Sequence, residues 1–297
     1  MKTGAIAIVG RPNVGKSTLM NVLLKEKVTI VSDKPQTTRT RILGVVHRPD
    51  AQLVLLDTPG LHKPEHRLNH RMVRTAMDAM READLLYVMV EATGAPGPGD
   101  RFVIDSVRDW RAKRPGDPVP VFLLINKADA VNKTRLLPLI EAYRTKLEWA
   151  EIVPLSALAG DNVERLLELT VRYLPEGEAP FGDDMLTDQP MRNLAAELVR
   201  EKIMQQTHEE IPYSTAVEIA QFVEEEKLIR VAATIFVEKE SQKAIVIGKH
   251  GERLKAVGTE ARLDMARLFG KKVFLELWVS VQPAWREDEQ VLTQLGY

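Results

Sequence analysis

The chain has 297 residues, enough for about two domains of ordinary size. Hydrophobic residues make up 44% and charged residues 28% of it, and the formal net charge of −1 gives no overall attraction to nucleic acid. The absence of cysteine excludes disulfides, thiolate zinc sites and a cysteine nucleophile. The apolar runs are too short for a signal peptide or a membrane span, so we expect a soluble intracellular protein.

Over residues 1–174, short apolar runs alternate with longer amphipathic stretches, which is typical of a mostly parallel sheet covered by helices. A Gly- and Pro-rich break interrupts this pattern at 114–120. Strands are predicted at Ala5–Val9, Arg41–His47, Gln52–Asp57, Leu85–Val90, Val121–Asn126 and Ile152–Leu155. Helices are predicted at Lys16–Lys25, Leu68–Glu82, Asp100–Arg111, Thr134–Trp149 and Val163–Tyr173. We therefore predict an α/β domain at 1–174.

The segment GRPNVGKS, Gly10–Ser17, lies between the first predicted strand and the first predicted helix. It matches G-x-x-x-x-G-K-[ST], the phosphate-binding loop of nucleoside triphosphatases, in the context that this motif requires. Its glycines let backbone N–H groups face a phosphate, Lys16 would neutralise the β- and γ-phosphates, and the Ser17 hydroxyl would bind Mg²⁺. The segment predicts a Mg²⁺-dependent nucleoside triphosphate site.

Two further segments are predicted to respond to the γ-phosphate. In DTPG, residues 57–60, Asp57 would hold Mg²⁺ through a water and the Gly60 N–H would contact the γ-phosphate. In KPQTTRTR, residues 34–41, a threonine should complete the Mg²⁺ shell; we favour Thr38, with Thr37 as the alternative. Loss of the γ-phosphate would release both segments, so we predict a molecular switch.

Two nearby patterns are weak evidence for a further functional site. His62, His66 and His70 recur every four residues, but no carboxylate or thiolate completes a metal site and Pro64 interrupts the first turn, so we predict a solvated switch helix. GAPG, residues 94–97, has no basic neighbours and is predicted to be a simple loop.

The segment NKAD, Asn126–Asp129, lies at the end of an apolar strand and predicts which base the bound nucleotide carries. The Asp129 carboxylate can accept two hydrogen bonds from the N1–H and amino group of guanine; adenine lacks this donor pair, and such a mismatch can cost about 10⁴-fold. Asn126 and Lys127 would brace the loop and stack beside the base. In SAL, residues 156–158, the Ala157 N–H would reach guanine O6.

These motifs give a full set of predicted site residues, and none of them qualifies as a general base. Catalysis is therefore expected to rest on electrostatic positioning. The predicted nucleotide-binding residues are Gly10, Asn13, Val14, Gly15, Lys16, Ser17, Thr18, Asp57, Thr58, Pro59, Gly60, Asn126, Lys127, Asp129, Ser156, Ala157 and Leu158. The predicted catalytic residues are Lys16, Thr38, Asp57 and Gly60, and the predicted Mg²⁺ site is formed by Ser17, Thr38 and Asp57.

After residue 174 the periodicity stops, and prolines, glycines and acids predict an interdomain linker at 175–190. A small α+β domain is predicted at 191–297. Its predicted elements are a helix at Met191–Thr207, a β-hairpin at 214–240 with the acidic run Glu224–Glu226 as its solvated turn, a helix at Glu252–Phe269 and a strand at Lys272–Val281.

The loop GKHG, residues 248–251, precedes the long predicted helix of this domain. Its glycines would let a nucleic-acid backbone come close, and nearby basic residues and the helix N-terminus would supply positive potential. No G-K-[ST] follows, which excludes a second phosphate loop, and a simple packing turn is the alternative. The apolar run before the loop favours a strand by propensity, whereas the RNA-binding interpretation needs a short helix. The predicted RNA-binding residues are Gly248, Lys249, His250, Gly251, Arg253 and Lys255.

The first domain has the motif order of the translation-factor-related GTPases, and the order α–β–β–α–α–β of the second resembles a type II KH domain. Together they closely resemble the Era family of bacterial GTPases over essentially the full chain. The resemblance implies a Ras-like fold, GTP hydrolysis with Mg²⁺, binding near the 3′ end of 16S ribosomal RNA and a role in 30S subunit maturation. It also implies a cytoplasmic location with some peripheral association with the inner membrane. We expect a monomer whose nucleotide state changes its RNA affinity through the linker.

Leu61 follows DTPG where Ras-like enzymes carry a water-orienting glutamine. Relatives with a hydrophobic residue there often use a monovalent cation held by an asparagine of the phosphate loop. Asn13 stands at that position, so the resemblance implies stimulation by K⁺; stabilisation of the loop turn is the alternative role for Asn13. A scaffold whose GTP site is only structural is the competing function of another class. A tRNA-modifying GTPase is disfavoured because that class usually carries a catalytic cysteine or a modification domain.

Overall fold

The computed structural model describes residues 1–114, 116 and 119–297, so part of the break predicted at 114–120 lies outside the described residues. The chain divides into two compact units. The first comprises Met1–Val28, Thr38–Glu65 and Asn69–Asp188. The second comprises Thr29–Thr37, His66–Leu68 and Gln189–Tyr297.

A six-stranded sheet with the order β2-β3-β1-β4-β5-β6 forms the centre of the first unit. The strands are β1 (Lys2–Gly10), β2 (Ile42–His47), β3 (Ala51–Asp57), β4 (Leu85–Glu91), β5 (Val121–Asn126) and β6 (Glu151–Pro154). All run parallel except the edge strand β2, which is antiparallel to β3. Both β3 and β5 are buried along their whole length because helices cover the two faces, which explains their continuous apolar sequences.

The helices of this unit pack on the two faces of the sheet. They are α1 (Lys16–Leu24), α2 (Arg67–Glu82), α3 (Pro98–Ala112), α4 (Leu136–Arg144) and α5 (Val163–Tyr173). α1 and α5 contribute to one hydrophobic core, and α2, α3 and α4 contribute to the other. α4 is shorter than the predicted helix 134–149 because the chain turns back after Arg144: the Tyr143 carbonyl accepts from the Lys146 N–H and the Trp149 indole.

The segment predicted as a linker is hydrogen-bonded to the first unit up to Thr187. The Val45 N–H of β2 donates to the Leu186 carbonyl (2.9 Å), and the Thr187 hydroxyl donates to the Leu43 carbonyl (2.6 Å). The Gln52 amide exchanges two hydrogen bonds with the backbone of Phe181, at 2.8 and 3.0 Å. Such an extended polar segment can satisfy its backbone groups along an open strand edge.

The second unit contains a three-stranded sheet in the order β7-β8-β9, in which β7 and β8 are antiparallel and β8 and β9 parallel. Its strands are β7 (Ala216–Glu224), β8 (Leu228–Val237) and β9 (Lys272–Val281). Its helices are α6 (Met191–Gln206), α7 (Ile211–Ser214), α8 (Glu240–Ile247), α9 (Glu252–Phe269) and α10 (Glu289–Gln294). α7 and α10 were not predicted from the sequence. Trp285, shortly before α10 in the sequence, is fully buried. Its indole N–H donates to the carbonyl of Ser214, the last residue of α7 (2.8 Å).

Two expectations for this unit are settled by the structure. The apolar run before the GKHG loop is helical and forms the end of α8, so the strand favoured by its β-branched residues is wrong; Val246 is buried in the core, and tertiary packing overrides local propensity. The turn of the hairpin is confirmed at the acidic run, since Glu224 ends β7 and the Glu225 N–H donates to the Leu228 carbonyl (2.8 Å).

α6 also holds the segment 29–37, which belongs to the second unit. Arg200 is fully buried, pairs with Glu197 and donates to the Thr37 carbonyl. The Val31 N–H donates to the Glu201 carboxylate (2.9 Å). The residues immediately before Thr38 are thus fixed by side chains of α6.

Candidate nucleotide site and nucleic-acid interface

The phosphate loop follows β1 and leads into α1. Gly15 has a φ of 100°, and a Cβ built on it would lie 2.3 Å from the Asn126 amide nitrogen, so both backbone conformation and space require glycine. The Lys16 ammonium is buried and donates to the carbonyls of Gly10 (3.4 Å) and Arg11 (3.2 Å). The loop therefore wraps around the lysine that would face the β- and γ-phosphates.

The electrostatics of Lys16 suit an anionic ligand. The pKa of Lys16 is lowered to about 8, chiefly by burial; the charge of Asp57 opposes this shift and the charge of Arg11 adds to it. A bound polyphosphate would offset the cost of burying this ammonium, because an opposite charge favours the protonated form.

Three oxygen-bearing side chains converge beside the loop. The Ser17 hydroxyl lies 2.7 Å from Asp57 Oδ2 and 2.8 Å from the Thr38 hydroxyl, and Thr38 Oγ1 lies 3.4 Å from the same carboxylate oxygen. Thr37, the alternative to Thr38, instead donates its hydroxyl to the Lys34 carbonyl (2.7 Å). The geometry therefore brings Thr38, and not Thr37, to the predicted Mg²⁺ ligands.

The residues present fit Mg²⁺. Hydroxyl and carboxylate oxygens are the ligands that this ion prefers. Within the described part of the chain, Asp57 Oδ1 is buried and has no hydrogen-bond partner, so the carboxylate keeps an oxygen for a further ligand such as a metal-bound water. Burial raises the pKa of Asp57, against the opposing effects of Lys16 and Ser17, and a nearby cation would favour its ionised form.

The rest of DTPG is anchored to the strands around it. The Thr58 hydroxyl donates to the Ile8 carbonyl (2.7 Å), and the Leu61 N–H donates to the Gly10 carbonyl (3.0 Å). Pro59 and Gly60 lie between these anchors, so the segment begins and ends against β1. This places the Gly60 backbone next to the phosphate loop.

Asn126 ties the base motif to its neighbours. Its amide nitrogen donates to the Val14 carbonyl (2.7 Å), and its Oδ1 accepts from the Ala157 N–H (2.9 Å). The bracing role expected for Asn126 is thus visible in the structure. The Ala157 N–H was expected to reach guanine O6, but in this structure it is bonded to Asn126, so a base would have to share or displace that bond.

The remaining predicted base contacts lie around this bridge. Asp129 is exposed, as is Leu158, and Ser156 is fully buried with its hydroxyl accepting from the Ala159 N–H (3.0 Å). Asn13 of the phosphate loop has a φ of 66°, in the left-handed region that asparagine tolerates, which accords with a turn-stabilising role. Thr18 follows Ser17 in the first turn of α1.

Sequence reasoning missed an ionic cluster next to these loops. Glu91 binds Arg11 of the phosphate loop and Lys127 of the base motif, and Asp100 binds Arg11 from the other side. Glu91 ends β4, just as Asp57 ends β3 and Asn126 ends β5. Ligands of such sheets bind at the carboxyl ends of the parallel strands, so the position of Glu91 at the end of a predicted strand could have marked it as a site residue.

The three histidines after DTPG do not share one helix. α2 begins at Arg67, one residue before the predicted start at Leu68, so His62 and His66 precede it and only His70 is helical. His62 Nδ1 contacts the Gly60 carbonyl (2.8 Å), and His66 pairs with Glu287. Across residues 1–114, 116 and 119–297, no group of three His, Cys, Asp or Glu is arranged to hold a metal ion.

The GKHG loop is a tight turn between α8 and α9. Gly248, His250 and Gly251 have φ values of 75°, 52° and 77°. Arg253 donates from its guanidinium to the Ile245 carbonyl, which closes the loop, whereas Lys249 is exposed. The loop therefore presents backbone and positive charge at the N-terminus of α9, where a phosphate is favoured.

A groove of about 400 Å³ adjoins this loop between α9 and β9. It combines basic side chains with apolar walls, a lining suited to nucleotide bases beside a phosphate chain. The lining residues are Gly251, Leu254, Lys255, Gly258, Thr259, Arg262, Leu275 and Leu277. Of these, the sequence analysis nominated only Gly251 and Lys255, because the contribution of β9 depends on how the sheet packs.

Family comparisons match both parts of the chain. The family described as "50S ribosome-binding GTPase" matches residues 5–127, and the KH domain family matches residues 210–286. GTPase Era of Geobacter metallireducens is 49% identical over 298 aligned residues, covering 100% of this chain and 98% of that protein.

Two solved structures are similar over the full length. One is a crystal structure of Era in complex with MgGDPNP and nucleotides 1506–1542 of 16S ribosomal RNA, with 43% identity, a TM-score of 0.93 and coverage of 100% of this chain and 99% of that chain. The other is a point variant of Aquifex aeolicus Era bound to GDP·AlF4⁻, with 43% identity, a TM-score of 0.92 and the same coverage of both chains.

Proposed function

Because the chain belongs to the GTPase Era family, we propose that it is a GTP-hydrolysing molecular switch that binds 16S ribosomal RNA near its 3′ end. Its role is to assist assembly and maturation of the 30S ribosomal subunit. The observation that carries the switch is the meeting of Thr38 with Ser17 and Asp57, since Thr38 lies on a segment that the γ-phosphate can hold or release.

Hydrolysis needs little from this chain beyond positioning. Water attacks the γ-phosphorus, the bond to the β–γ bridging oxygen breaks, and GDP and phosphate leave. Bound Mg²⁺, held by Ser17, Thr38 and Asp57 directly or through water, supplies charge neutralisation of the β- and γ-phosphates. Lys16 and the backbone of the phosphate loop hold the same oxygens, and the Gly60 N–H orients the γ-phosphate. Asn13 would hold a K⁺ ion, whose charge would add to that of Lys16 beside the phosphates.

The base and the RNA are recognised in the two predicted domains, 1–174 and 191–297. Asp129 selects guanine, with Asn126, Lys127 and Ala157 shaping its pocket. The GKHG loop grips the RNA backbone and the groove beside it takes the bases. The protein acts as a monomer in the cytoplasm, with peripheral association with the inner membrane. In the described part of the chain, no helix has the length and apolar character needed to traverse a bilayer.

The RNA-binding proposal can be tested with two matched glycine variants. Gly251 and Gly270 lie at opposite ends of α9 with φ values of 77° and 66°, and neither has any atom within 4 Å of a built Cβ. Gly251→Asp should weaken binding of a 16S 3′-end RNA fragment by at least about tenfold, because it places a carboxylate where the phosphate would lie. Gly270→Asp carries similar backbone strain away from the loop and should leave RNA affinity within about threefold.

Fluorescence anisotropy with labelled RNA measures both affinities, and GDP affinity should be unchanged in both variants. Gly248 is a poorer test site, because a Cβ there would lie 2.8 Å from the Arg253 Cβ. Equal loss of RNA binding in the two glycine variants would assign the loop to the fold instead of the interface. The competing scaffold function would be supported if no GTP turnover were measured with Mg²⁺ and K⁺, with or without RNA.

A further inference from the structure

The phosphate loop and the base motif are joined by one carboxylate. Glu91 Oε2 accepts from the Arg11 guanidinium (2.6 Å), and Glu91 Oε1 accepts from the Lys127 ammonium. Since each oxygen serves a different cation, the side chain spans the gap between the two loops. Its side chain is only 12% exposed, so these charge-assisted bonds are partly shielded from water.

The cations that Glu91 holds belong to the two halves of the nucleotide site. Arg11 follows Gly10 in the phosphate loop, and its own carbonyl accepts from Lys16. Lys127 has a φ of 62° in the turn after β5, and it is the residue expected to stack beside the base. A movement of the Glu91 carboxylate would shift both loops.

The cluster is electrically balanced. Asp100 accepts from Arg11 Nε (3.1 Å) and, through its other oxygen, from the Gly97 N–H (2.9 Å) at the start of α3. Two carboxylates therefore face two cations. Because the four charges sum to zero, we expect the main effect of the cluster on a nucleotide to come through the positions of Arg11 and Lys127.

We propose that Glu91 is a positioning residue for guanine nucleotides: it fixes Lys127 beside the base and sets the spacing between the base motif and the phosphate loop. This inference rests on the proposed GTP site and names a residue outside the nucleotide motifs. Glu91 acts through Lys127 and Arg11 and does not itself touch the nucleotide.

The inference predicts a specific kinetic pattern for Glu91→Gln, which keeps the shape of the side chain and removes its charge. The dissociation constant for GDP and the KM for GTP should rise about tenfold, while kcat at saturating GTP stays within about twofold, because Asp100 still holds Arg11 and with it the phosphate loop. A purely structural role would lower kcat as well, instead of changing KM alone.

A double-mutant cycle tests whether Glu91 acts on the nucleotide through Lys127. In a Lys127→Met background, Glu91→Gln should change the GDP dissociation constant by less than about twofold, because its partner is already gone. Asp100→Asn is the matched control, since it removes the other carboxylate on Arg11 and leaves the Glu91–Lys127 pair intact. We expect it to change GDP affinity by less than about threefold.

Two results would contradict the positioning role of Glu91. The inference is wrong if Glu91→Gln binds GDP within about threefold of the unmodified protein, or if its full effect persists in the Lys127→Met background. If Glu91→Gln does not fold, Glu91→Asp replaces it in the same cycle, because the shorter acid keeps the charge but cannot reach both cations. Failure of the unmodified protein to bind GDP would instead contradict the proposed function.

Discussion

At the scale of single residues, the acids Asp57, which is buried, and Glu91, which is half-buried, face different partners. Burial raises the pKa of Asp57, which is consistent with a carboxylate whose ionised form is completed by a metal cation. Burial also tends to raise the pKa of Glu91, but its bond to Lys127 and the charge of Arg11 outweigh that effect, and the pKa falls below its ordinary value of 4.5. Glu91 is therefore an anion at neutral pH that joins the phosphate loop to the base motif.

This difference predicts how Glu91 contributes to stability with pH. Because its pKa is lower in the folded chain, its contribution is complete above about pH 4.5 and is lost as the pH falls through the folded pKa. The difference in free energy of unfolding between the unmodified protein and Glu91→Gln should be constant from pH 7 to about pH 5.5 and shrink below about pH 4.5. Urea denaturation at each pH measures it. A difference that stays constant down to about pH 3 would contradict the assignment.

The site residues differ in how far sequence alone could identify them. Lys16, Ser17 and Asp129 belong to motifs whose chemistry is local, so a few consecutive letters in a strand–loop–helix context predict them. Glu91 has no such motif, and only the neighbouring positions of β1, β4 and β5 in the sheet bring it between Arg11 and Lys127. The choice of Thr38 over Thr37 likewise depends on the loop conformation.

At the scale of elements, the segment 175–188 is a part of the first unit. Its composition predicted a linker because prolines and acids dominate it, yet it pairs with β2 and β3. α10 was missed for a related reason: it is only six residues long, which is too short for a clear hydrophobic period. The long helices and the parallel strands were predictable because their apolar patterns extend over several turns or whole strands.

The attachment of this segment can be tested at Gln52. Gln52 is 1% exposed and exchanges two hydrogen bonds with Phe181. Gln52→Ala should lower the free energy of unfolding by about 1–3 kcal/mol and speed proteolytic cleavage within 175–188, because it leaves the Phe181 backbone unpaired. Urea denaturation and limited proteolysis with mass spectrometry measure these effects.

Gln221→Ala on β7 is the control, since that side chain is exposed. Its effect on the free energy of unfolding should stay below about 0.5 kcal/mol, with no change in cleavage of 175–188. If the two variants behaved alike, the bonds between Gln52 and Phe181 would not be what holds the segment.

At the scale of the whole molecule, the chain crosses between its compact units next to the Mg²⁺ ligands. Arg200 holds the Thr37 carbonyl within the second unit, and the next residue, Thr38, reaches Ser17 in the first. The nucleotide-responsive segment is therefore continuous with residues anchored on α6. We propose this covalent connection, instead of the predicted linker 175–190, as the route that couples nucleotide state to RNA affinity.

Arg200→Lys tests that route. A lysine can keep the pair with Glu197 or reach the Thr37 carbonyl, but it lacks the planar fork that does both. We expect the ratio of RNA affinities measured with GDPNP and with GDP to fall to within about threefold of unity, whereas the unmodified protein should show a larger ratio. Fluorescence anisotropy with the same RNA fragment measures the ratio.

The control is Arg192→Lys, also on α6, whose guanidinium donates to the Ile219 carbonyl and not to residues 29–37. It should keep the ratio of the unmodified protein. If the ratio were unchanged in Arg200→Lys, the contact with Thr37 would not transmit the nucleotide state. A ratio of unity in the unmodified protein would mean that there is no coupling to transmit.

The pairing of residues 175–188 with β2 also bears on solubility. β2 is an edge strand, and an open edge of a six-stranded sheet can recruit strands from other molecules and start aggregation. Leu186 and Thr187 occupy backbone groups of Val45 and Leu43 that would otherwise face such a partner. A GTPase domain truncated at Leu174 would lose this cover, so the polar tail after α5 serves as a protective strip against misassembly.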